Sequence, residues 1–213
     1  MLFPMGAGHS RNTGGPIAFT GSADEWIDND FTLYITAAQL IADGVSAGDY
    51  ILVALSDWDG WFFEPIGASI PLNTSDPLIY ANSSWNGTSS VGGDYDDNST
   101  EAGIAAGFAN VASVADVTRA TGSSGNPNPP SITWNNTYGG STICVCVGIV
   151  SGSGTATAPT GYTLIETQIA TGTLMMAYKA LTGTSGTENP GTFGGPTGTW
   201  QAWTGVLYGE TPF

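Results

Sequence analysis

Apolar positions in this chain recur mostly at a spacing of two, the period of a β-strand. Phe31, Leu33 and Ile35 alternate with polar residues and predict a first strand. Ala37 to Ala42 can form one or two helical turns, stopped at Gly44. After a turn at Ala47-Gly48-Asp49, residues Tyr50 to Leu55 are apolar on both faces, which predicts a central strand. From Asp57 to about Asn98 the alternation breaks. Trp58, Trp61, Phe62, Phe63 and Trp85 sit there among Gly, Pro, Ser and Asn, as anchors of long loops with room for short strands. Between Glu101 and Thr118 the spacing of Ile104, Phe108, Val111, Val114 and Val117 permits a helix, but Gly103, Gly107 and the β-branched residues favour strands. A loop at Gly122 to Pro130 follows. Further strands are predicted at 131–134, 142–150, 162–169, 174–181 and 200–207.

Many short strands between Gly and Pro turns predict a mainly-β chain, a jelly-roll-like antiparallel β-sandwich with long loops. Residues 1–22, rich in Gly and Pro, read as an extended N-terminal arm, with the sandwich spanning 23–213. Residues 57–155 are either a long insertion in that sandwich or a second small β subdomain. No repeat of fixed short period is visible.

Charge narrows the function classes. Three Lys and Arg stand against 18 Asp and Glu, a formal net charge of −15. So few cations cannot neutralise a phosphate backbone, and nucleic-acid binding is not expected. Adhesion to anionic membrane is disfavoured for the same reason. The hydrophobic fraction of 41% is enough for a folded core and separates this chain from disordered acidic ones. Fifteen of the eighteen acids lie within residues 1–120, so the C-terminal half is nearly uncharged. Either partners cover that half, or its Thr and Ser keep it soluble.

Neither a basic n-region nor a long apolar stretch opens the chain, so a product made in a cytoplasm without a signal peptide is expected. The apolar run Ile143 to Val150 is too short to span a bilayer. It holds the two cysteines, Cys144 and Cys146, which a strand directs to one face as small buried side chains. The five sequons, at Asn73, Asn82, Asn86, Asn98 and Asn135, are attributed to a composition rich in Asn, Ser and Thr.

No catalytic residue is assigned. His9, the single histidine, lies in the arm, and a nucleophilic triad would need it as base. The acids Asp24, Glu25, Asp28 and Asp30, the pair Asp57 and Asp59, and the group Asp94, Asp96 and Asp97 read as solvated loop acids. No cofactor is expected, with calcium as the one candidate. Asp94, Asp96 and Asp97 alternate in a loop and offer oxygen ligands without the full EF-hand spacing. Candidate partner or receptor surfaces are Phe3, Pro4 and Met5 in the arm, and Trp58 and Trp61 in the acidic loop. Burial over the sandwich core is the preferred reading of the loop rings.

Four segments carry a resemblance. They are Gly48-Asp49-Tyr50-Ile51-Leu52-Val53, then Pro159-Thr160-Gly161-Tyr162-Thr163-Leu164-Ile165, then Leu174 to Ala180, then Trp200 to Leu207. Their order resembles a jelly-roll-like module of structural proteins of tailed bacteriophages, with Tyr162 where that family usually has Trp. The resemblance covers less than half of the chain. It implies a virion surface component, a tail fibre, tail tip or head decoration, with no enzyme activity. Expected partners are copies of the chain itself in a trimer or other ring, other virion proteins and a host surface glycan. The rival readings are a stand-alone carbohydrate-binding module and a glycan hydrolase using loop carboxylates.

Overall fold

The computed structural model describes residues 15–28, 32–57, 64–67, 70–73, 78–94 and 100–210. Their strands in chain order are β1 (Ala18–Asp28), β2 (Thr32–Ile35), β3 (Tyr50–Asp57), β4 (Glu64–Ile66), β5 (Ile70–Asn73), β6 (Leu78–Asn82), β7 (Val91–Asp94), β8 (Thr100–Ala109), β9 (Val111–Gly122), β10 (Ile132–Asn135), β11 (Gly139–Val150), β12 (Thr163–Ile169), β13 (Thr173–Leu181), β14 (Ser185–Glu188) and β15 (Trp200–Glu210). A short helix, α1 (Ala37–Ala42), follows β2. All described strand pairs are antiparallel.

Two five-stranded sheets carry the architecture. One has the order β1-β8-β3-β6-β5, the other β12-β13-β11-β15-β9. Their inner faces meet in a core that includes Leu52, Ala54, Ile79, Ile104 and Phe108 from the first sheet and Val145, Val147, Met176, Trp203 and Leu207 from the second. Each sheet is also covered on its outer face. Over the first lie α1 and the small sheet β2-β7-β4, and Leu33, Ile35, Leu40, Trp85 and Val91 pack on Ile51, Val53, Leu55 and Tyr80. Over the second lie the β10-β14 ribbon, with Ile132 and Trp134 on Cys144 and Val206, and the loops holding Ala156 and Phe193, which pack on Cys146, Met175 and Ala177. Strands buried on both faces need apolar residues at consecutive positions, which is why β3 and β11 do not alternate.

The antiparallel sandwich is the expected class. The chain passes from one five-stranded sheet to the other once, between β8 and β9, at Asn110 with φ of 60°. That path is simpler than the back-and-forth winding a jelly roll implies. The helix forms where expected. Thr36 caps it reciprocally with Gln39: Gln39 N donates to Thr36 Oγ1 at 3.3 Å, and Thr36 N donates to Gln39 Oε1 at 2.8 Å. At its exit Gly44 takes φ of 100°, and a Cβ there would stand 2.7 Å from the Thr20 carbonyl oxygen.

Other expectations are revised. β1 begins at Ala18, inside the stretch read as an arm, because its partner β8 supplies a ladder that local composition does not reveal. Residues 57–155 supply strands to both sheets. β6, buried, is one of the short strands for which 57–98 left room, whereas the exposed β14 lies where no strand was expected. Gly48–Val53 enters the first sheet as β3, whereas the other three segments of the resemblance lie in the second, where β11 runs between β13 and β15.

All four edge strands of the large sheets are bulged, and the extra residue sits on the edge strand each time. It falls between Phe19 and Gly21 in β1, Pro71 and Asn73 in β5, Leu164 and Glu166 in β12, and twice in β9, opposite Thr204/Val206 and Tyr208/Gly209. The ladders β3-β8, β3-β6 and β11-β13 are regular. Bulged edges resist pairing with a foreign strand.

Candidate functional site

The residues singled out from the sequence divide between described and undescribed parts of the chain. Phe3, Pro4, Met5, His9, Trp58, Trp61, Asp96 and Asp97 lie outside the described residues. Asp94 closes β7 and is exposed, and its Oδ1 accepts from Thr32 Oγ1 at 2.7 Å across the β2-β7 ladder. Among the described residues no group of three or more His, Cys, Asp and Glu is arranged to hold a metal ion. Trp85 is an anchor: its ring is buried under the first sheet's outer cover, and its Nε1 donates to the Ser89 carbonyl at 2.8 Å.

The fold gathers two sets of titratable groups that no spacing in the sequence announces. The first is acidic. Asp24 of β1 feels the charge of Glu166 of β12, from the opposite sheet, together with Glu25 and Asp43. Burial first, then these like charges, hold the Asp24 carboxyl above the usual carboxylate range. Glu25 is tied to the helix, accepting from Gln39 Nε2 at 3.0 Å.

The second set lies on the outer face of the C-terminal sheet. Lys179, the chain's single lysine, is the ladder partner of Cys144. Its Nζ is 2.9 Å from Glu188 Oε1 on β14, and it stands 5.6 Å from the centre of the Tyr162 ring. The Tyr162 hydroxyl donates to the same Glu188 oxygen at 3.2 Å. One carboxylate thus gathers the ribbon, β13 and the turn before β12. Burial pushes the Cys144 thiol up to about 12 and the Cys146 thiol well above its ordinary value. Thiols held this far from ionisation are poor nucleophiles, in keeping with the packing role expected of them. Both are free and buried.

Among the described residues, the half-exposed aromatic rings are not ones the sequence singled out. Trp26, Tyr34 and Tyr138 are each about half exposed, at 48%, 49% and 45%. For Tyr34 a signal existed, since it alternates with the buried Leu33 and Ile35. No known protein family, curated protein or solved structure matches the chain.

Proposed function

We propose that this protein is a non-enzymatic structural component of a tailed-phage virion, displayed on the particle surface as a fibre, tail-tip or head-decoration subunit. It acts by assembling with copies of itself and with other virion proteins. The observation that supports this reading is the adjacency of three of the four resembling segments. The turn Pro159–Tyr162 leads into β12, β12 pairs with β13, and β15 lies one strand away, across β11. Three segments separated in sequence are therefore parts of one sheet, while Gly48–Val53 belongs to the other. A scaffold with both sheets covered on both faces also suits a part that works by holding its shape.

The test is the mass of the full chain by light scattering, at low and at 1 M salt, together with its sedimentation with purified particles. A salt-stable ring, or a chain that associates only with particles, favours the virion reading. A monomer that binds glycans favours the carbohydrate-binding module, for which the half-exposed Trp26, Tyr34 and Tyr138 are the specific support. Cleavage of a glycan, lost on Asp24→Asn or Glu166→Gln, would move the reading to a hydrolase.

A further inference from the structure

We infer that the chain is two copies of one folding unit, residues 18–109 and 111–210, and that the inner face of each sheet is the surface through which the unit binds a second copy of itself. The strand order carries this inference. In the first half, the five sheet strands in chain order are β1, β3, β5, β6 and β8. In the second they are β9, β11, β12, β13 and β15. In both, the first strand pairs with the fifth, the fifth with the second, the second with the fourth and the fourth with the third. The accessory strands repeat as well. β2 lies between the first and second strands and pairs with β7, which lies between the fourth and fifth. β10 and β14 occupy the same two places and pair with each other. Among the described strands only β4 has no counterpart.

The register repeats at residue level. Leu52 of β3 faces Ala81 on one side and Ala106 on the other, and Val145 of β11 faces Tyr178 and Gly205 in the same places. One step outward, Val53 lies between Tyr80 and Ala105, and Cys146 between Ala177 and Thr204. Leu52 and Val145 both point into the central core, and Val53 and Cys146 both point into an outer one. On the third strands the bulge follows the second paired residue in each case. The extra residue is Leu72 in β5 and Ile165 in β12, and both pack on the central core. Phe19 and Val114 on the first strands lie opposite Phe108 and Leu207 on the fifth, and all four belong to that core or pack on it.

The central core is therefore built from corresponding positions of the two halves. That is the signature of an isologous contact, in which one patch meets its own copy. A single sheet of this kind has two apolar faces. Its own ribbon and loops cover the outer face, and only a second sheet covers the inner one. Asn110 joins the halves with one residue in a left-handed conformation.

The test uses the full chain with a protease site inserted between Asn110 and Val111. After cleavage, native mass spectrometry and circular dichroism are expected to show both pieces held together with unchanged β-structure. The pieces are then separated in denaturant and refolded. Each is expected to run as a dimer of itself, or to stay unfolded alone and refold on mixing. A folded monomer of either piece, or folded pieces that part in buffer after cleavage, would overturn the shared interface. Hydrogen exchange on the uninterrupted chain decides the duplication independently. Corresponding strands, β3 with β11 and β8 with β15, are expected to be protected to within about tenfold of each other. Protection that follows the half of the chain instead of the place in the unit would overturn it.

Discussion

The two halves of the molecule pair their strands in the same order but differ in what lies over the sheet and where the charge sits. Over the N-terminal sheet stand a capped helix and a small sheet, and this half carries most of the acids. Over the C-terminal sheet stand a two-stranded ribbon and loops rich in Thr, Ser and Gly. The scarcity of charge in the second half thus has an intramolecular counterpart. Its apolar outer face is covered by its own chain, and the exposed positions of the ribbon are uncharged, among them Thr133 and Thr187, whose Oγ1 atoms lie 3.2 Å apart. The difference teaches that burial on both faces constrains a sheet strongly, whereas the chemistry of the outermost layer is free to vary.

The largest effect expected from this comparison is on thiol labelling. Both cysteines lie in the C-terminal half, so a thiol reagent reports the opening of that half alone. Labelling of the native protein should be slower than in denaturant by at least about a thousandfold, the scale of a global unfolding equilibrium. Labelling much faster than global unfolding would mean that the second half opens independently, which breaks the picture of two mutually dependent sheets.

Corresponding core positions give the next effect. Ile104 on β8 pairs with Ala54, and Trp203 on β15 pairs with Val147 in the matching place. Trp203→Ala should cost about 3–5 kcal/mol and Ile104→Ala about 2–5 kcal/mol, each lowering one common transition in urea followed by circular dichroism. Two separate transitions would show that the halves are energetically independent.

A smaller loss is expected from Glu188→Gln. The variant removes the charge that holds Lys179 and leaves an acceptor for Tyr162. Because the Lys179 side chain is 35% exposed, the cost should be about 1 kcal/mol, shrinking with added salt, as thermal melts at two ionic strengths would reveal.

The smallest effect concerns Asp24, where the two halves meet across the sandwich rim. Its folded carboxyl binds a proton more tightly than the unfolded one, so its contribution lowers stability as pH rises through the folded value. Acidification from pH 7 towards about 4 should therefore relieve it. Asp24→Asn should raise the unfolding free energy at pH 7 by less than about 1 kcal/mol, read from urea titrations, and flatten the pH dependence in that window. A fall at pH 7 would show that the carboxylate is favourably solvated after all.

Much of the local structure was legible in the residues. The helix at Ala37–Ala42, the doubly buried strands at Tyr50 and Ile143, and the burial of Cys144 and Cys146 all follow from patterns a few residues long. Less of the candidate chemistry was. Asp24 and Glu166 stand 142 positions apart (166 − 24) and meet because β1 and β12 edge opposite sheets. Lys179, Glu188 and Tyr162 converge because the ribbon folds back over the sheet. Nothing in their spacing marks either meeting.

The residue pattern alone settles the mainly-β class and the longer buried strands such as β3 and β11, since alternation and burial are properties of short segments. Which strand lies beside which, and with that the repeat, emerges only once the sheets are assembled. The corresponding residues Leu52 and Val145, Val53 and Cys146, and Ile104 and Trp203 share no side chain. They share a position in a ladder and a degree of burial, and a β-ladder selects for these two properties because backbone hydrogen bonds are blind to side-chain identity and a core accepts any apolar group of fitting volume.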